Sequence, residues 1–188
     1  MLIAFNKPFG VLSQFSGGAS SHRTLAEFGF PKNVYPLGRL DVDSEGLLLL
    51  SDEAGLNSEL LHPKRRHPRT YWCQVEGKPS STELQAFEGG IWLQGIRTLP
   101  CRARLIETEP IVPKREPPIR ERKNIPVSWI EIELCEGKNR QVRRMTAAIG
   151  FPTLRLIRVR IGQFALGDLL PGKWKDVTDS ERERILSG

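Results

Sequence analysis

The chain has 188 residues, of which 39% are hydrophobic and 27% charged, the balance of an ordinary globular protein. That length buries roughly 70% of the unfolded surface, enough for one sizeable core or two small lobes. No segment approaches the ~20 apolar residues of a membrane span, no secretory signal precedes Asn6-Lys7-Pro8, and the net charge of +6 points to an anionic partner.

Residues 2–5 read as a short strand stopped by Lys7-Pro8-Phe9-Gly10, a turn signal. Residues 11–15 are expected to return as a second strand, 17–21 to form a flexible loop and 25–28 a short helix. Gly38-Arg39-Leu40-Asp41-Val42-Asp43-Ser44-Glu45-Gly46 then leads into four leucines closed by Ser51 and Asp52. Four leucines are too few for a typical helix, so they read as a strand buried on both faces. Residues 53–61 carry Leu56, Leu60 and Leu61 at helical spacing, and 70–75 form a strand rich in aromatic and β-branched residues. Ser80, three residues before Glu83, opens a helix through a capping box. Residues 101–106 and 127–134 alternate as strands, with Ile130, Ile132 and Leu134 on one face. Between them, 109–126 holds five prolines and reads as an exposed loop or a hairpin tip. Residues 138–149 form an amphipathic helix with Val142, Met145 and Ile149 toward the core. A strand over 154–161 follows, then a strand end near Trp174 and a helix capped near Thr178 or Asp179. Helices and strands do not alternate regularly, which favours α+β with a largely antiparallel mixed sheet flanked by helices. Residues 1–188 are expected to make one domain, with room for two sub-lobes.

Cys73, Cys101 and Cys135 are odd in number and widely spaced, so they read as reduced core thiols of a cytoplasmic protein. The positive charge is concentrated. From 137 to 167 there is no acid, while Lys138, Arg140, Arg143, Arg144, Arg155, Arg158 and Arg160 supply seven cations. Lys64-Arg65-Arg66 and Arg120-Glu121-Arg122-Lys123 are smaller clusters. Any one of them suits a solvated face; together they favour a nucleic acid.

The acidic turn mimics a calcium loop, with acids at 41, 43 and 45, glycine at 46 and Asp52 twelfth. Pro36 and Gly38 break the entering helix that such a loop needs, and loop positions 7, 9 and 10 are leucine where a hydrated loop is expected. Asp41 and Asp43 also suit turn residues that bond their own backbone, although Arg39 then has no explanation. A carboxylate held on a turn beside a basic groove can also act as a nucleophile or base on a nucleotide gripped by its phosphates.

Four stretches carry a family resemblance: Asn6-Lys7-Pro8-x-Gly10; Gly38-Arg39-Leu40-Asp41 with Asp43-x-x-Gly46-Leu47; Arg69-Thr70-Tyr71-x-x-Gln74-Val75; and Glu136-Gly137-Lys138-Asn139-Arg140-Gln141-Val142-Arg143-Arg144-Met145. In this order the chain resembles the RNA pseudouridine synthases of the RsuA/RluB/RluE branch. The resemblance implies the pseudouridine synthase fold with a central RNA-binding cleft, without the N-terminal S4 module that several members carry. It implies isomerisation of a uridine in large-subunit (23S) ribosomal RNA, with no metal, redox cofactor or ATP. Asp41 would be the catalytic aspartate, Tyr71 the aromatic that stacks on the target base, and Arg143 the partner of Asp41. Arg39 would hold the flipped-out nucleotide or fill its gap. Lys7, Lys64, Arg65, Arg66, Lys138, Arg140, Arg144, Arg155 and Arg158 would grip RNA. The expected enzyme is a monomer without membrane contact; a non-catalytic rRNA-binding assembly factor is the alternative from another class.

Overall fold

The computed structural model describes residues 1–17, 21–119 and 125–187, which fall into two compact units: Met1–His67 with Ile157–Gly188, and Pro68–Leu156. The centre of the 17–21 loop and the 120–123 basic cluster lie outside the described residues.

In the first unit the leucine stretch is a strand, Glu45–Ser51, with every residue buried. It has strand neighbours along both edges, and its buried side chains pack on both faces of the sheet. Leu2–Lys7 pairs with it antiparallel from Leu2↔Ser51 to Lys7↔Gly46, and itself pairs with Trp174–Asp176. On the other side the end of Thr153–Ile161 runs parallel, through Ile157↔Glu45 and Arg158↔Gly46. The pleat splits the apolar residues into two cores. Leu2, Ala4, Leu47 and Leu49 pack with Leu56, Leu60, Ile161, Phe164 and Ile185. Phe5 faces the other way, its ring 4.9 Å from Phe28 and 5.0 Å from Phe30, and Phe30 meets Trp174. The helix Asp179–Leu186 starts on a Thr178–Glu181 capping box and brings Ile185 into the first core. The expected strand over 11–15 is only Val11–Leu12, parallel to Arg23–Thr24, because Ser13 turns inward to bond Leu40. Leu25–Phe28 is a 3-10 turn capped by Thr24 and Glu27.

In the second unit Arg69–Glu76, Val127–Leu134 and Arg102–Ile106 form antiparallel neighbours, with Ile132 opposite both Tyr71 and Ala103. Tyr71, Cys73, Val75, Ile130 and Ile132 make the apolar face, and all are buried. The opposite face is polar: Glu131 accepts from the Trp72 indole at 3.0 Å and from Arg104 at 2.9 Å. Burial pushes the Cys73 thiol well above its usual range and that of Cys101 up to about 12, so neither is a nucleophile. Ser81–Gly89 begins at the Ser80–Glu83 capping box.

The basic helix is shorter than its pattern, Gln141–Ala148 instead of 138–149. Arg140 takes a left-handed backbone at φ 48°, and the Gln141 side chain accepts the Lys138 N–H at 2.9 Å while donating to Glu136 at 2.6 Å. That network sets the start of the helix, so Arg140 is its N-cap, with its carbonyl accepting the Arg144 N–H at 3.0 Å. A hairpin, Trp92–Leu93 with Ile96–Arg97, has no counterpart in the sequence reading. Among the described residues no helix is long and apolar enough to cross a membrane.

Candidate active site

Asp41 occupies a main-chain turn fixed from three directions. Its carbonyl accepts the Ser44 N–H at 3.0 Å, closing a four-residue turn, and the next carbonyl, Val42, accepts the Gly10 N–H at 2.8 Å. The buried Ser13 hydroxyl receives the Leu40 N–H at 3.0 Å and donates to the Leu40 carbonyl at 2.8 Å. Leu40 is itself buried, so the residue before Asp41 is anchored by its side chain and by both main-chain groups. Asp41 and Asp43 are half-buried, while Ser44 and Glu45 are buried where the leucine strand begins. A reactive carboxylate is thus carried on a turn that the core positions. No sequence signal singles out Ser13, because a serine after an apolar pair is common in loops.

Beneath the turn lies Lys7, 0% exposed. Its ammonium donates to the Val11 carbonyl at 2.7 Å and to the Pro8 carbonyl at 3.0 Å. Burial drives its pKa down; the negative field of Glu45, Asp43 and Asp41 opposes this, and Arg158 adds to the lowering, leaving it at about 7. Lys7, expected to grip RNA, is placed here as an internal cation under an acidic turn. Its linkage has a definite sign. Between pH 7 and 10 the unfolded chain keeps the Lys7 proton that the folded chain has released, so stability rises with pH across that window. Relative to Lys7→Met, the wild-type chain is expected to gain on the order of 3 kcal/mol between pH 7 and 9.5 in urea unfolding. A stability difference that stays flat with pH rules out a buried, depressed Lys7.

Arg155 and Arg158, also expected to grip RNA, are enclosed in a similar way. Both are buried; Arg158 Nε donates to the Leu47 carbonyl at 2.7 Å and Arg155 Nη2 to the Pro113 carbonyl at 2.9 Å. They sit in a strand covered over most of its length, and each donates to a main-chain carbonyl. The remaining cations expected to bind RNA are accessible. Arg39, Lys64, Arg65, Arg66, Lys138 and Arg140 are exposed, and Arg144 is half-buried.

In the second unit Tyr71 is 9% exposed, in the strand opposite Ile132. Arg143 is half-buried on the basic helix, with Nη1 donating to the Thr153 carbonyl at 3.3 Å. Glu136, just before that helix, binds the Leu99 N–H at 2.8 Å, the Gln141 amide at 2.6 Å and Lys138 at 3.3 Å. Partial burial works to raise its pKa, but these donors outweigh it and hold the carboxyl below its usual range. Of the three residues expected to be catalytic, the structure thus places Asp41 in the first unit, and Tyr71 and Arg143 in the second.

A family model described as RNA pseudouridylate synthase matches residues 1–148. A protein of Xanthomonas campestris pv. campestris named ribosomal large subunit pseudouridine synthase E is 52% identical over 176 residues, covering 93% of this chain and 94% of that one. A Vibrio parahaemolyticus protein of the same name is 48% identical, over 94% of this chain and 73% of its own. A solved structure titled "Crystal structure of pseudouridylate synthase" superposes with a TM-score of 0.80 at 27% identity, covering 98% of this chain and 73% of that one.

Proposed function

The chain belongs to the RNA pseudouridylate synthase family, and from that premise we propose that it isomerises one uridine of large-subunit ribosomal RNA to pseudouridine, with Asp41 as the reacting carboxylate. The observation that carries this reading is the Asp41 turn itself, anchored by Ser13, Gly10 and Ser44 above a fully buried strand. The names of the Xanthomonas and Vibrio relatives support the choice of large-subunit RNA.

In the reaction the bond from uracil N1 to ribose C1′ breaks, the base turns, and a bond from C5 to C1′ forms; the C5 proton leaves to solvent and N1 takes up a proton in its place. Atoms and electrons balance without an external reactant. Asp41 either attacks the substrate as a nucleophile or takes a proton from the sugar; each route uses its carboxylate form. The target nucleotide must leave its stack, which costs a few kcal/mol. We assign Tyr71 to stacking on the extracted base, Arg143 to pairing with a carboxylate, and Arg39 to holding the flipped-out nucleotide. Lys64, Arg65, Arg66, Lys138, Arg140 and Arg144 are the cations placed to meet phosphates. The enzyme acts as a cytoplasmic monomer in this reading.

Tritium release decides between an enzyme and a binding-only assembly factor. Large-subunit rRNA transcribed with [5-³H]uridine is expected to lose one label per molecule when incubated with the protein, because only re-attachment through C5 expels that atom. RNA binding that weakens steeply with salt, but without label release, would favour the assembly factor.

A further inference from the structure

The hairpin Trp92–Leu93/Ile96–Arg97 is unassigned by the catalytic roles above. Its turn is Gln94-Gly95, both left-handed at φ 52° and 80°, the pairing that suits a two-residue hairpin. The base is closed by the Thr98 N–H on the Ile91 carbonyl and the Ile91 N–H on the Thr98 hydroxyl, each at 2.9 Å. The tip is tied to the basic helix, where Arg144 Nη2 donates to Gln94 Oε1 at 2.8 Å. The element is short but held at both ends.

What it displays faces solvent. Trp92 is 65% exposed and Ile96 64%. The chain has four tryptophans. Trp72, Trp129 and Trp174 donate their indole N–H to Glu131, Glu109 and the Phe28 carbonyl, whereas Trp92 has no such bond among the described residues. Directly opposite Trp92 stands Arg97, also exposed. From 89 to 103 the sequence contains no Asp or Glu but has Arg97 and Arg102, and Arg144 borders the tip. A solvent-facing indole with Arg97 across the hairpin from it and Arg144 bonded at the tip matches the requirements of a nucleobase with its flanking phosphates. An apolar protein partner would leave those guanidinium groups without counter-charges.

We propose that this hairpin is a stacking platform for a single-stranded stretch of the substrate RNA outside the target uridine. Trp92 takes the face of one base, while Arg97 and Arg144 meet the adjoining phosphates. The inference rests on the RNA-modifying reading and deepens it by adding a second, sequence-tolerant contact that raises affinity without touching the reacting atoms.

The test uses the full chain and the transcribed large-subunit rRNA. RNA is expected to quench the tryptophan emission of the wild-type protein. Trp92→Phe keeps an aromatic face, so it holds affinity within about threefold and loses most of the quench. Trp92→Ala weakens RNA binding about 5- to 100-fold, seen as a raised KM for tritium release, with kcat within about twofold. An active wild type whose Trp92→Ala variant binds RNA equally well overturns this platform and leaves the enzymatic reading intact. A wild type that neither binds the RNA nor releases tritium overturns both. A concentration-dependent dimer that Trp92→Ala dissociates assigns the face to a second copy of the chain, and also overturns the platform.

Discussion

Replacing Asp41 with asparagine is expected to abolish pseudouridine formation, lowering the single-turnover rate of tritium release at least about a thousandfold, or ~4 kcal/mol of transition-state stabilisation. The change is nearly isosteric and removes the one property both chemical routes need, an anionic oxygen. It leaves the main-chain bonds of the turn in place. Those bonds do not involve the carboxylate: the Asp41 carbonyl accepts the Ser44 N–H, the Val42 carbonyl accepts the Gly10 N–H, and the Ser13 hydroxyl bonds Leu40. RNA affinity should therefore stay within a few-fold of wild type, and the thermal midpoint within a few degrees. A variant that isomerises uridine at a normal rate would move the chemistry away from Asp41, and one that fails to fold would give the carboxylate a structural duty instead.

Substituting alanine at Gly46 is expected to destabilise the protein by at least about 3 kcal/mol, the range of a strained backbone with an unrelieved clash. Gly46 lies between two partners, opposite Lys7 on one side and Arg158 on the other. Its φ of 99° is open to glycine and strained for other residues. An added Cβ would press into the Arg158 carbonyl oxygen and stand 2.8 Å from the Arg158 nitrogen. Neither neighbour is a side-chain tip that can swing away; both belong to the backbone of the parallel strand. Urea unfolding of Gly46→Ala measures the loss directly, and activity should fall with the folded fraction. Destabilisation below 1 kcal/mol would show that the two backbones do not approach so closely.

Legibility in the sequence followed the range of the forces involved. The capping boxes at Ser80–Glu83 and Thr178–Glu181 and the strand Val127–Leu134 are local, and their residues alone announce them. The buried leucine strand was readable because its composition leaves few alternatives. The burial of Lys7, Arg155 and Arg158 was not legible, because a charged side chain shows nothing of its burial along the chain. Their acceptors, the carbonyls of Val11, Pro113 and Leu47, are met only after folding. The helix start moved from 138 to Gln141 because a side-chain network with Glu136 outweighed the apolar periodicity. The hairpin at 92–97 escaped because two-residue strands carry no alternation, although Gln94-Gly95 is a turn signal. At the site, the motif residues Asp41, Tyr71 and Arg143 could be named in advance. Ser13, which fixes the carboxylate's backbone, could not.

The Gly10–Val42 bond, the Lys7–Gly46 pairing and the field of Asp41, Asp43 and Glu45 at Lys7 bind residues 6–10 and 38–46 into a single mechanical part. Groups that share partners in this way do not respond independently to change. In evolutionary terms the two stretches are one inherited character: a replacement tolerated in either depends on what the other already contains, so a graft must carry both segments together.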